Sequence, residues 1–419
     1  MKFRICLALS VLMPLALPAS PALGGGLDLN EARELALERD EELAALRAEA
    51  RGAREQAVAD GALPDPEVGI GYMNLPVDSF ATGEDGMTQL QFTARQKFPA
   101  GRSRQLSTDI GETLAEARDE EARARRREVI RETTEAWLRW SYAARKLEIA
   151  ESAEATFEEF VEITRSRYAT GTGTQRDLSR ARLELASLQE RVLELELERD
   201  DAAARLGRWI GAGAARNADP GEGRVALPDE QRLAREALVD HPRVRAENLR
   251  SAAGELNVDR ARQRYRPEWM VEVGYSHRRA EDAAGDRASD LVSGMVGLSV
   301  PLFTRNRQDR QVAAARESAT AAAHRRGDTL NDLHGRLERE LAAHERYREL
   351  TELYEENLLN EAARNVALKF DAYRVDREDF LELVRARVDQ LDFRLRLLRI
   401  ERDQALTRTQ LHYLVGETS

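Results

Sequence analysis

Apolar residues step by three and four along two stretches of this chain. Leu178, Ala181, Leu185, Leu188, Val192 and Leu195 form one series, and Leu381, Val384, Val388, Leu391, Leu395 and Leu398 form the other. That spacing predicts a narrow apolar seam of the coiled-coil kind on each of two helices. Arg199 and Arg402 interrupt the seams at equivalent places, where an arginine stem lies along a groove with its head in water. Longer helical runs precede them, from about Arg102 to Tyr168 and from about Arg305 to Tyr373, and at ~1.5 Å per residue each reaches on the order of 100 Å. A second period appears between the helices. Val68, Ile70 and Tyr72 with Leu90 and Phe92, then Val271, Val273 and Tyr275 with Val292, Val296, Leu298 and Val300, alternate with small or polar residues such as Gly69, Gln91, Glu272 and Ser293. These segments predict four strands, each apolar on one face.

The whole pattern occurs twice. Leu37 and Leu238, in "ELALERDEEL" and "REALVDHPRV", lie 201 apart; Tyr72 and Tyr275, Arg102 and Arg305, and Glu198 and Glu401 lie 203 apart. Each unit reads helix, strand, loop, strand, long helix, turn, helix, so the chain is a tandem repeat. The first repeat covers 23–210, a glycine- and alanine-rich linker 211–228, and the second repeat 229–419.

Ahead of the repeats, "MKFRICLALSVLMPLALPASPALGGG" joins a basic start to a short apolar run and small residues spaced for cleavage, which predicts a secretory signal over 1–22. The one cysteine, Cys6, lies inside it and follows no lipobox, so the processed chain is expected to carry neither disulfide nor lipid. No later apolar run suffices for a spanning helix, which leaves β-strands as the route into a membrane. Four strands cannot close a barrel, and open edges are not tolerated in lipid, so that route demands an oligomer. All strand ends that join helices then face one side, and the acidic loops from Pro76 to Gly86 and from Ala280 to Asp290 face the other.

Composition narrows the function. The chain is 33% charged with 12 prolines, which suits long helices better than compact globules, and its 75 acidic and 64 basic residues are dispersed, leaving no basic face for nucleic acid. The six histidines show no metal-binding or triad-like spacing, and no cofactor or metal site is expected. "ATGTGTQRD" has the glycines of a phosphate loop but neither the preceding strand nor the lysine. It predicts a helical hairpin tip instead, with Gly171 and Gly173 taking positive φ and Thr174 with Asp177 forming a capping box.

The signal, the repeat, the paired strands and the helical hairpins together resemble the TolC-like outer-membrane efflux family from about Leu27 to Gly416. The residues that carry this are "LDLNEARELALERDEELAALRAEARGAREQ", "PDPEVGIGY", "SVPLFTRNRQ", "RYATGTGTQRDLSRARLEL" and the closing Leu206-Gly207 and Val415-Gly416. The resemblance implies a mainly α fold with a small β part: long helical hairpins forming an α-barrel in the periplasm, and four strands per chain contributing to a twelve-stranded transmembrane β-barrel in a homotrimer. It implies a passive duct in outer-membrane lipid, not an enzyme, working with a periplasmic adaptor (membrane fusion) protein and an inner-membrane efflux pump of the resistance-nodulation-division type. "YMNLPVDSF" and "GMTQLQFTARQKFP" resemble the branch serving cobalt-zinc-cadmium and copper-silver efflux. By the same resemblance Asp379 and Glu382 stand at two acidic constriction rings, where mutual repulsion is expected to raise some of their pKa values. Asp177 stands at a gate partner, Phe370 where relatives carry a tyrosine, and Val375 where they carry an arginine that Arg374 replaces. The alternatives are a secreted coiled-coil adaptor that never enters a membrane, and an enzyme.

Overall fold

Asp28 opens the first helix, α1 (Leu29–Arg39), with a capping box: the Glu31 N–H donates to Asp28 Oδ1 at 2.8 Å and the Asp28 N–H donates to Glu31 Oε2 at 3.0 Å. The computed structural model describes residues 27–216, 218–219, 225–228, 235–279, 281, 286–375 and 377–416. The expected signal over 1–22 therefore lies outside the described residues, as do parts of the linker and of the loop from Ala280 to Asp290. Where the sequence predicts one helix ahead of the strands, the structure has two. Asp40 leaves helical geometry at ψ 100° and caps α2 (Glu41–Gly61) by accepting the Leu43 N–H at 2.7 Å. The second repeat keeps the position and changes the residue. A 3-10 turn (Arg235–Asp240) replaces α1, and His241 Nδ1 accepts the Arg243 N–H at 3.2 Å to cap α6 (Pro242–Gln263).

Four strands form one antiparallel sheet in chain order: β1 (Glu67–Met73), β2 (Gln89–Phe98), β3 (Glu268–Arg278) and β4 (Leu291–Ser299). Val300, part of the expected alternation, follows the end of β4. The two repeats thus meet strand to strand through β2 and β3, while β1 and β4 each keep one edge without a partner among the described residues.

The helical hairpins are matched in length. In the first, α3 (Ser103–Ala169) has 67 residues and α4 (Gln175–Ile210) has 36, followed by the short α5 (Ala212–Arg216). In the second, α7 (Gln308–Leu353), a π-helical turn (Tyr354–Leu358) and α8 (Leu359–Arg374), of 46, 5 and 16 residues, equal α3, and α9 (Phe380–Val415) has 36. At ~1.5 Å per residue the long arms reach about 100 Å. Gly211 (φ 90°) and Gly416 (φ 91°) end α4 and α9, donating to Gly207 O and His412 O at 2.8 Å. Gly211, rather than Gly207, is therefore the counterpart of Gly416.

The apolar seams bury as expected, with Leu178, Ala181, Leu188, Val192 and Leu195 inside α4 and Val384, Leu391, Leu395 and Leu398 inside α9; Leu381 is only half-buried, and Phe380 takes its place. Arg199 and Arg402 each turn to the following aspartate, Asp200 and Asp403, at 2.7 Å. One core packs Trp137 and Trp140 against Leu206 and Ile210; another, at the hairpin tips, joins Phe157, Phe160, Leu178, Phe380 and Leu383. Among the described residues no helix is long and apolar enough to cross a membrane.

Candidate functional site

The register of the sheet separates two surfaces. Ile70, Phe92, Tyr275 and Val292 stand opposite one another across all four strands, and Val68, Ala94 and Val273 form the next apolar row. Phe98, Trp269 and Leu298 form another at the helical end. Since side chains alternate between faces, the intervening rows carry Gly71, Gln91, Ser276 and Leu291, then Gly69, Thr93, Gly274 and Ser293, so that small and polar residues predominate. That second face also holds a ladder of charges that pattern reading missed. Lys97 Nζ meets Glu67 Oε1 at 2.5 Å, Arg95 Nη1 meets Glu67 Oε2 at 3.5 Å, and Arg95 Nη2 meets Glu272 Oε2 at 2.6 Å. The sheet is therefore largely apolar on one face and carries ion pairs on the other, running across β1, β2 and β3.

At the first tip, Thr170 ends α3 and Gly171 turns the chain at φ 76°, donating to Tyr168 O at 3.1 Å. Gly173 does not take the positive φ expected of it. It is tightly packed instead: a Cβ there would lie 3.0 Å from Arg167 Cβ and 3.2 Å from the Arg167 carbonyl carbon. The capping box is present, with the Asp177 N–H donating to Thr174 Oγ1 at 3.2 Å and the Thr174 N–H donating to Asp177 Oδ2 at 3.3 Å. The Thr174 hydroxyl donates to the same carboxylate at 2.7 Å.

At the second tip, Asp379 caps α9, with its Oδ1 3.5 Å from the Leu381 N–H. Asp379 thus fills the place Thr174 holds in the first hairpin. Asp177 and Asp379 share a groove of about 390 Å³ between the starts of α4 and α9, which Arg176, Arg180 and Arg385 also line. Glu382 is held outside that groove by two cations, Lys369 Nζ at 2.8 Å and Arg385 Nη1 at 2.7 Å. The Lys369 hydrogen bond first, and the Arg385 one next, hold its carboxyl below the usual range in the single chain. Phe370 packs into the tip core, and Arg374 is exposed at the end of α8 with no ion pair to a described residue.

A contact absent from the sequence reading joins the hairpins. The Arg167 guanidinium stacks over the Tyr373 ring at 4.8 Å, Tyr373 lies 5.6 Å from Phe380, and Phe380 meets Phe160 edge to face at 6.0 Å. Further along, Arg191 Nη1 of α4 meets Asp392 Oδ1 of α9 at 2.6 Å. The i, i+3 aromatic pairs Phe157/Phe160 and Phe370/Tyr373 were the signal for this cluster.

A family model described as outer membrane efflux protein matches residues 32–212 and 233–417. The toluene efflux pump outer membrane protein TtgF of Pseudomonas putida is 27% identical over 281 residues, covering 64% of this chain and 58% of TtgF. The chain spans less than two thirds of the length of the curated relatives it matches. Among solved structures, a membrane protein from Pseudomonas aeruginosa is 18% identical with a TM-score of 0.80, over 97% of this chain and 99% of that one. The outer membrane protein VceC of Vibrio cholerae is 17% identical with a TM-score of 0.76, over 93% and 96%. At these identities the likeness is one of fold.

Proposed function

The chain belongs to the outer membrane efflux protein family, and from that premise we propose that it is the passive exit duct of a tripartite efflux assembly, with no catalytic step of its own. Three copies join β4 of one to β1 of the next, so that three four-stranded sheets close one barrel in outer-membrane lipid and the hairpins continue it as a periplasmic tunnel. A periplasmic adaptor and an inner-membrane pump of the resistance-nodulation-division type deliver the cargo. The observation that carries this reading is the sheet: one largely apolar face, interrupted by Gln96 and His277, one face that holds the ion pairs, and an open edge at either side. Such a sheet satisfies lipid outside and water inside only once its edges are closed. Exposed Leu183, Leu193 and Leu197 on α4 supply apolar surface for a neighbouring copy. A soluble coiled-coil adaptor would leave the rows around Ile70 and Trp269 in water.

Heavy-metal cations or small toxic compounds are the proposed cargo, and the name of TtgF adds toluene to that range. Asp379 and Glu382 are the proposed constriction, with Asp177, Arg374 and Phe370 at the gate. The test is light scattering of protein extracted from fractionated outer membranes, with the detergent contribution subtracted, followed by conductance in planar bilayers. A trimer that appears only after detergent extraction, and that forms discrete channels, is expected. A water-soluble monomer or dimer would overturn the reading.

A further inference from the structure

Between α3 and α9, beside the core of the hairpin tips, the structure has a half-open pocket of about 80 Å³ with Thr156, Arg387 and Gln390 on its walls and the exposed Ser152 and Arg394 at its mouth. Its charge is unusual for this chain. Nearby arginines have acids, Arg191 with Asp392 and Arg385 with Glu382. Arg387 and Arg394 pair with no carboxylate among the described residues; Arg387 Nη1 donates only to the Gln390 side-chain oxygen at 3.1 Å. The Arg387 Nε–H is buried and has no acceptor. Burial first, and the like charge of Arg394 next, hold the Arg387 guanidinium below the ordinary arginine range.

Arg387 is half-buried with its Nε–H inside, and that N–H, beside the second guanidinium of the exposed Arg394, is costly to leave without a counter-charge. The missing partner is an anion, and its size and chemistry follow from the walls. The cavity has room for a few waters or one small tetrahedral ion. Guanidinium forks match the oxygens of phosphate and sulfate, and hydroxyl and amide side chains complete the shell. We propose that this cavity binds a small inorganic oxyanion of the phosphate or sulfate type, held by Arg387 and Arg394 from α9 with Ser152 and Thr156 from α3. A lipid phosphate is not the source. At ~1.5 Å per residue, Ser152 lies about 70 Å down α3 from its start beside the sheet. Bound there, the anion ties the first hairpin to the second and neutralises two like charges that otherwise repel.

The full-length protein in detergent, exchanged into chloride buffer at fixed ionic strength, is titrated with sodium phosphate while its thermal unfolding is followed. A saturable rise in unfolding temperature is expected. Arg387→Gln and Arg394→Gln should each weaken the apparent affinity about tenfold, whereas Arg399→Gln, at an exposed ion pair with Asp403, should leave it unchanged. Wild-type crystals soaked in selenate should show an anomalous peak within hydrogen-bonding distance of Arg387 Nε, a result that does not depend on any variant folding. The absence of that peak overturns the proposal, as does a phosphate response that persists in the Arg387→Gln/Arg394→Gln double variant.

Discussion

The assignment of the two sheet faces is tested by placing one charge on each. Ile70 lies in the middle of β1, in the apolar row with Phe92, Tyr275 and Val292, and is 69% exposed in the single chain. An arginine on the lipid face of a barrel costs about 2–4 kcal/mol at the bilayer midplane. In the proposed trimer the substitution recurs in each copy, so Ile70→Arg removes about 6–12 kcal/mol per assembly. That is comparable to the whole stability of an ordinary domain, about 5–15 kcal/mol. Gln91 belongs to the opposite face, level with Gly71 and Ser276, where Gln91→Arg meets water and costs little. The assay is the amount of trimer recovered from outer-membrane fractions at equal expression, read by light scattering after extraction. Ile70→Arg should lower recovery at least about tenfold, since each 1.4 kcal/mol is worth that factor, and Gln91→Arg should change it less than about twofold. Equal recovery of the two, or the reverse order, would refute the face assignment and the barrel with it.

Because Glu382 already has Lys369 and Arg385 as partners while Asp379 only caps its helix, Asp379→Ala should weaken cation selectivity in bilayers more than Glu382→Ala does. Unchanged selectivity in the double variant would remove both from the proposed constriction. Phe380 is 2% exposed and joins Phe160 to Tyr373. Phe380→Ala should cost the tip core about 3–5 kcal/mol and speed amide exchange in 157–164 and 367–386 while the sheet stays protected; slow exchange at the tips would contradict this. His241 is fully buried, and burial first, with the charges of Arg127 and Arg243 next, pushes its imidazole down to about 3. With a folded value below the unfolded ~6.5, the unfolded chain takes up the proton first, so stability falls as pH drops from 6.5 towards 3. At pH 5 the loss is about 2 kcal/mol. His241→Asn retains a capping acceptor and should flatten the unfolding temperature between pH 7 and pH 5, and an unchanged slope would count against it.

Periodicity made legible what depends on one residue in two or in three and four. The strands, both seams and the repeat follow from side-chain direction alone, so Val68–Tyr72 and Leu178–Leu195 were readable before any packing was known. Long-range partners were not. Nothing local distinguishes Arg95, which crosses to Glu272 at 2.6 Å, from the arginines that stay in water. Likewise the Arg167–Tyr373 stack depends on two helix ends that the sequence holds far apart. Gly171 and Gly173 are alike in sequence, yet one answers to φ and the other to a neighbouring backbone. Asp40 broke a continuous helical pattern because its side chain competes for the backbone N–H groups that start α2.

The repeat itself explains why the two tips are not interchangeable. The seams correspond at an offset of 203, as Leu188 with Leu391 and Leu195 with Leu398 show. The helix ends correspond at 205, as Thr174 with Asp379 and Gly211 with Gly416 show. α9 therefore starts and stops two residues later along its own seam than α4 does. At about 100° per residue, two residues turn a side chain roughly 200° around the axis. The capping residues of the second hairpin, Asp379 and Glu382, accordingly stand on nearly the opposite side of their seam from Thr174 and Asp177. One pair closes on itself as a capping box, and in the other Glu382 reaches across to Lys369 of α8. The π-turn at Tyr354–Leu358 is a second difference between the repeats, since a wider turn between α7 and α8 shifts the face that α8 presents while the residue count of the arm stays equal to that of α3. The arms of the two repeats are equal in length, and these small slips give equal arms unequal faces, which is what the proposed duct, with distinct inner and outer walls, requires of a repeated sequence.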